Sequence, residues 1–190
     1  MVETDFFDDG CRCGWVVFDR IVDWSRCRSR YEGHRKRELV LDSAPVEITP
    51  EILTTGEIPL EHEFEAVAKD FFVDRGGRKI QDTLADDLAL ILKTGKGPVV
   101  VLGCSHRGVI NTLSHVQNIL GEKRIYAVLG GLHLVKTTGK KLETIIRHLK
   151  RFGLQKIVVG HCTGNHAIQQ LYHQFKDKVI LNTVGNVITF

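Results

Sequence analysis

Apolar positions follow two different rhythms along the chain. Up to about residue 102 they come as short runs broken by turn residues; beyond it, such runs alternate with stretches of helical spacing. Pro45 and Pro50 bracket a short extended piece at residues 46–48. Residues 52–55 (Ile-Leu-Thr-Thr) read as a strand, closed by Gly56 and Pro59. Residues 64–73 mix aromatic and β-branched side chains, and Gly76-Gly77 behind them has the form of a hairpin turn. The apolar run 88–92 ends at the turn Gly95-Lys96-Gly97. Residues 98–102 (Pro-Val-Val-Val-Leu) are nearly continuously β-branched, as in a strand buried on both faces.

The helical rhythm then sets in. Val109, Leu113, Val116 and Leu120 share one helical face, and Gly121 stops it. Residues 125–129 predict a strand. Residues 142–152 predict an amphipathic helix with Leu142, Ile145, Ile146 and Leu149 on one side and Gly153 at its end. A strand at 157–159, a helix at 167–175 and closing strands at 179–182 and 186–190 follow. Strands first, then alternating strand and helix, predict an α/β (α+β) fold: a mixed sheet covered by helices. Residues 1–38 carry no sustained period. They are expected to form a divergent, irregular segment, basic and cysteine-containing, ahead of a unit at 39–190.

Composition narrows the function classes. Lys and Arg total 26 against 23 Asp and Glu, a net charge of +3. That excess is too small to argue for nucleic acid. The basic stretch 26–37 contains Tyr31 but no aromatic interleaving, so it reads as a solvated face. No apolar run approaches the roughly 20 residues of a membrane span, and the acidic start of the chain is unlike a secretory signal. The cysteines are therefore expected as thiols, in the cytoplasm.

Three turns share one design: an apolar strand, then glycine, then polar residues with histidine. They are Gly103-Cys104-Ser105-His106, Gly130-Gly131-Leu132-His133 and Gly160-His161-Cys162-Thr163-Gly164. Strand ends of this kind form the ligand-binding edge of open α/β sheets. Imidazole and thiolate suit Zn²⁺ or Fe²⁺, so three such turns on neighbouring parallel strands make a metal-site hypothesis. A lone histidine at a strand end is more often a hydrogen-bonding residue, and His115, His148, His166 and His173 fall in helical stretches with no assigned role. Cys11, Cys13, Cys27 and His34 do not have the spacing of a zinc knuckle. Gly103 to Gly108 before a helix also has the form of a phosphate-cradling loop, using Ser105 and the amides of Arg107 and Gly108. It lacks a Walker lysine and a GxGxxG.

From about residue 39 onward the chain resembles the C-terminal half of the metallo-β-lactamase-fold hydrolases. Within them it is similar to the branch that includes the dihydropterin–ribofuranosylaminobenzene phosphate synthases of methanopterin biosynthesis. The matching pieces are Thr55-Gly56-Glu57-Ile58-Pro59, Asp86-Asp87, Gly103-Cys104-Ser105-His106-Arg107-Gly108 with Asn111-Thr112, Gly130-Gly131-Leu132-His133-Leu134 and His161-Cys162-Thr163-Gly164. The resemblance implies half of an αββα sandwich with a metal site at one sheet edge. The metal would be zinc or another divalent ion such as Fe, Mn or Mg. His161 matches the family's last histidine ligand. Cys104, or nearby His106, stands for the aspartate that bridges two metals there. Glu57, His133 and Asp86 would line the catalytic site, and Ser105, Arg107, Gly108 and Thr163 would contact a phosphorylated small-molecule substrate.

The family's H-x-H-x-D-H motif occurs nowhere in the 190 residues. The resemblance thus implies a hydrolase or pterin-transferring homologue of reduced or no activity alone. A homo-oligomer or a second polypeptide would complete the fold across the sheet face that carries residues 98–102, a face expected to be bare. The alternative is an inactive module that binds a partner through that face.

Overall fold

A computed structural model describes residue 40 and residues 42–190. The segment 1–38, with the zinc-knuckle and basic-run readings placed on it, lies outside the described residues. A seven-stranded sheet dominates. Its strands are β1 (Glu47–Thr49), β2 (Ile52–Thr54), β5 (Ala89–Leu92), β6 (Val99–Leu102), β7 (Ala127–Gly130), β8 (Lys156–Val159) and β9 (Val179–Leu181), adjacent in that order. The pairs from β1 to β6 are antiparallel and those from β6 to β9 parallel. Between β2 and β5, strands β3 (Phe72–Arg75) and β4 (Arg78–Gln81) form a separate hairpin around Gly76 and Gly77, as the sequence predicts.

Each parallel step is bridged by a helix: α1 (Val109–Leu120), α2 (Gly139–Leu149) and α3 (Asn165–Phe175). Gly121 ends α1 in the left-handed conformation at φ 67°, as its C-terminal glycine predicts. Register explains the core. Leu53, Ile91, Val100, Val128, Ile157 and Val179 are successive partners in one row across six strands. All six belong to a single buried cluster with Leu113 and Val116 of α1, Leu142, Ile145 and Leu149 of α2, and Leu171 of α3. All three helices thus cover the same sheet face. A monotonic run of right-handed crossovers requires this, because the strands twist one way.

The opposite face differs from expectation. Residues 98–102 are not exposed: Val99 is fully buried, as are its neighbour Ala127 and nearby Val158. The row Leu90, Val101, Leu129, Val158 and Ile180 stays outside the main cluster, and all of it but the fully buried Val158 is half-buried. The second correction concerns residues 186–190, which form no strand. The chain turns after β9, with the Asn186 amide donating to Thr183 O, and its end is tied by Lys156 Nζ donating to Thr189 O. Val184 and Val187 are left exposed. Among the described residues no helix is long and apolar enough to cross a membrane.

Candidate metal centre and adjoining pocket

Because β6, β7 and β8 are parallel, their C-terminal ends deliver the three histidine turns to one edge of the sheet. The turns are laced to one another. The Gly131 amide donates to Gly103 O at 2.8 Å, and the Leu132 amide to Thr163 Oγ1 at 3.1 Å. Backbone strain collects here too. Of the five described non-glycine residues at positive φ, three are Ser105 (58°), His133 (48°) and His161 (50°), one in each turn. Side chains disfavour that conformation, and it persists where surrounding structure enforces it, commonly at functional sites.

Two of these turns supply metal-type donors. His161 Nε2 lies 3.2 Å from Cys104 Sγ, and Cys162 Sγ lies 3.5 Å from the Cys104 carbonyl oxygen. One ligand atom each from Cys104, His161 and Cys162 falls within 4.8 Å of the others. The set fits a borderline-soft ion: two sulfurs and an imidazole nitrogen suit Zn²⁺ or Fe²⁺ better than Mg²⁺ or Ca²⁺. The exposed His161 leaves one side open to solvent. Burial, then the neighbouring Cys162, pushes the Cys104 thiol up to about 11. An incoming cation must therefore displace a proton, which makes uptake stronger as pH rises.

His106, the other sequence candidate for a ligand, stands elsewhere. Ser105 at φ 58° bends the chain between Cys104 and His106, and the His106 ring packs 4.2 Å from His133 and 5.0 Å, edge-on, from Phe71. These rings wall a cavity of about 440 Å³, also bordered by Ser105, Lys136 and Lys141. That volume suits a small organic molecule. His106 Nδ1, His133 Nδ1 and Ser105 Oγ are buried there without a hydrogen-bond partner among the described residues, which is uncommon for buried polar atoms and points to a missing partner. Burial, with His133 and His161 next, pulls His106 down to about 4. Burial also lowers His133, so both rings are neutral at pH 7.

The phosphate loop read from Gly103 to Gly108 is filled by the protein's own groups. The Arg107 amide donates to Asp87 Oδ2 at 2.7 Å and the Gly108 amide to Ser105 O at 3.1 Å. The first free amides of α1, from Ile110 and Asn111, donate to the Glu65 carboxylate. The Arg107 side chain pairs with Glu57 at 2.7 Å, so Glu57 anchors this loop. Thr163 is fully buried, and its hydroxyl holds Leu132. Neither Asp86 nor Glu57 is among the residues that line the cavity.

Sequence reasoning quoted Cys162 and Asp87 within its motifs but gave them no role, and it left out Phe71 and Glu65. Cys162 had a visible signal, since it sits beside His161 in a turn built like that of Cys104. Asp87 follows Asp86; burial above all pushes its carboxyl up to about 6, against the Arg107 amide that favours the charged form.

No model of a known protein family matches the chain. Individual proteins do. The chain is similar to the 7,8-dihydropterin-6-methyl-4-(beta-D-ribofuranosyl)-aminobenzene-5'-phosphate synthase of Methanocaldococcus jannaschii, with 33% identity over 154 residues, 80% of this chain and 52% of that protein. An uncharacterised protein of the same organism is 31% identical over 154 residues, 81% of this chain and 56% of that one. A crystal structure described as a metal-dependent hydrolase of the β-lactamase superfamily superposes with a TM-score of 0.73 at 31% identity, over 80% of this chain and 58% of that one. The chain thus spans about half the length of the curated relatives it matches.

Proposed function

We propose, since the chain belongs over its matched four-fifths to the metallo-β-lactamase superfamily, that it carries a metal-dependent hydrolase site or the related site of a pterin- and aminobenzene-phosphate-transferring homologue. The observation that carries this reading is the convergence of Cys104, His161 and Cys162 at the ends of β6 and β8. These three residues would hold one divalent ion, of which zinc fits best. When bound, such an ion would supply a Lewis acid. The chain's own groups do the rest. The neutral His106 and His133 rings offer hydrogen bonds to a substrate, Phe71 offers an aromatic edge, and Lys141 offers a positive charge to a phosphorylated one, Lys136 being paired with Asp70 at 3.6 Å.

Three protein donors meet the minimum for a catalytic zinc and fall short of what two metals need. No H-x-H-x-D-H motif occurs in these 190 residues, and Cys104, His161 and Cys162 by themselves do not make a dinuclear site. The free thiols of Cys104 and Cys162 accord with the reducing cytoplasm. Elemental analysis of protein purified without chelator tests the reading. The expected result is about one zinc per chain, lost in His161→Ala and in Cys104→Ser. Wild type without metal, even after dialysis against zinc, sinks it.

A second reading, a partner-binding module, draws on the half-buried row Leu90, Val101, Leu129 and Ile180 outside the main core. It predicts self-association or a stable complex. An exclusively monomeric chain in sedimentation at micromolar concentration, with normal metal content, counts against it.

A further inference from the structure

Cys104 and Cys162 are free thiols that follow different strands, yet their sulfurs lie within 4.8 Å of each other. Cys162 Sγ rests against the backbone of Cys104, 3.5 Å from its carbonyl oxygen. Gly131 stands between them. A Cβ there would lie 2.6 Å from Cys162 Sγ and 3.4 Å from Cys104 Cα, so only a residue without a side chain lets the two cysteines face each other. Both are partly exposed, so a small oxidant reaches them. A disulfide needs the two sulfurs to close from within 4.8 Å to about 2.05 Å.

We propose that Cys104 and Cys162 are an oxidisable pair that closes a reversible disulfide and thereby withdraws both sulfurs from the metal. The second half of this statement rests on the metal reading; the first does not. The oxidant is a hydroperoxide. One sulfur gives up its proton and attacks a peroxide oxygen, the O–O bond breaks, and the departing hydroxide takes that proton and leaves as water, with a sulfenic acid on that cysteine. The other thiolate attacks the sulfenic sulfur, the S–S bond forms, and a second water leaves. In total two thiols give up two electrons and two protons, and one hydrogen peroxide becomes two waters. A thiol regenerates the pair by exchange. The same geometry that gathers soft donors for a cation also places them for oxidation, so metal and disulfide exclude one another.

The test uses the full chain, both wild type and a C11S/C13S/C27S variant in which only these two thiols remain. Each is loaded with zinc, treated with hydrogen peroxide and digested without reductant. The expected result is a peptide joining Cys104 to Cys162, about 2 Da lighter than its two reduced halves and separated by dithiothreitol. Release of bound zinc, read with a chromogenic chelator, should accompany it. Sulfinic or sulfonic acid at either cysteine without a linked peptide overturns the pairing. A linked peptide with zinc retained overturns the competition. His161→Ala distinguishes the two readings: linkage in a variant that takes up no zinc upholds the pair independently of the metal.

Discussion

Glu65 and Gly108 interlock. The Glu65 carboxylate occupies the space where any side chain at position 108 would begin. From there it accepts the amide hydrogens of Ile110 at 2.9 Å and Asn111 at 2.7 Å. Helix α1 has no acidic residue in its own first turn and no side-chain cap from its N-cap residue. A carboxylate more than forty residues upstream therefore does the work of a local cap. Gly108 at φ 98° is needed twice, for its conformation and for the absence of a Cβ. Gly108→Ala should cost about 3 kcal/mol, combining backbone strain with the lost charge-assisted bonds. Chemical denaturation checks this, and a loss under about 1 kcal/mol would show that Glu65 moves aside freely.

Buried carboxyls and buried imidazoles give the pH dependence of stability two opposing parts. Burial raises Glu65 to about 7 and Asp87 to about 6. The folded state then holds protons that the unfolded state has released, so stability falls as pH rises between the ordinary carboxylate range and about 7. His106 and His133 are lowered. There the unfolded state binds the extra protons, and stability rises with pH until the ordinary histidine pKa of 6.5 is passed. The two parts oppose each other at mildly acidic pH. Between pH 6.5 and 8 the fall from Glu65 still overlaps the last of the histidine rise, so the Glu65 part is read as the difference between wild type and Glu65→Gln. Urea midpoints at pH 6.5, 7.25 and 8 should fall in wild type relative to those of Glu65→Gln; an equal slope in both would remove Glu65 as the cause.

Asn111 is almost fully buried, and its side chain is used completely on its acceptor side. Oδ1 accepts from the amides of Glu61 and His62, each at 3.0 Å, while Nδ2 donates to Arg107 O at 2.7 Å. It fastens the segment that carries Glu65 to the helix that Glu65 caps. Asn111→Leu keeps much of the volume but strands two half-buried amides and a buried carbonyl. A loss of about 3 kcal/mol is expected, with an undiminished denaturant slope. A change below about 1 kcal/mol would mean that water replaces all three bonds.

Much of this architecture was legible because it is local. The helix over residues 109–120 appears in the spacing of Val109, Leu113, Val116 and Leu120 with Gly121 behind it, and the structure has those bounds. That the three histidine turns meet follows from parallel strand order, which alternating strand and helix imposes. What stayed hidden depends on contacts between distant residues or on one dihedral angle. The Glu65 carboxylate reaches α1 from a separate segment, and no spacing rule reveals it. Ser105 in the left-handed region separates Cys104 from His106, so two residues adjacent but one in sequence serve different sites. Residues 186–190 have a strand's composition, but the chain has already turned away from the sheet after β9.

His106 separates the ligand set read from the sequence from the set the geometry supports. If Cys104, His161 and Cys162 hold the ion, His106→Ala should keep about one zinc per chain. Its removal should still damage the cavity by leaving His133 without its 4.2 Å neighbour. The signature is metal content at the wild-type level with weakened binding of an anionic aromatic probe. Loss of zinc comparable to that in His161→Ala would restore His106 as a ligand.

Gly131 is the most economical point at which to disable the centre without touching a donor. A methyl group at this position meets Cys162 Sγ at 2.6 Å and Gly103 O at 2.9 Å. Both are closer than van der Waals contact allows, and the sulfur, at the end of a rotatable side chain, gives way more readily than the backbone. Gly131→Ala should turn Cys162 away from Cys104 and His161. The strand ladder through Gly130 and its partner Val159 should remain, because that pairing involves backbone alone. The expected phenotype is zinc affinity reduced at least about tenfold, a factor typical when the surroundings of a metal ligand are disturbed. Thermal stability of the metal-free protein should fall by no more than overpacking of one methyl group implies, roughly 1–3 kcal/mol. Competition titration against a chelator of known strength, paired with thermal melts of the metal-free protein, reads both quantities. Unchanged affinity would place Cys162 outside the ligand set and leave Cys104 and His161 to hold the ion alone.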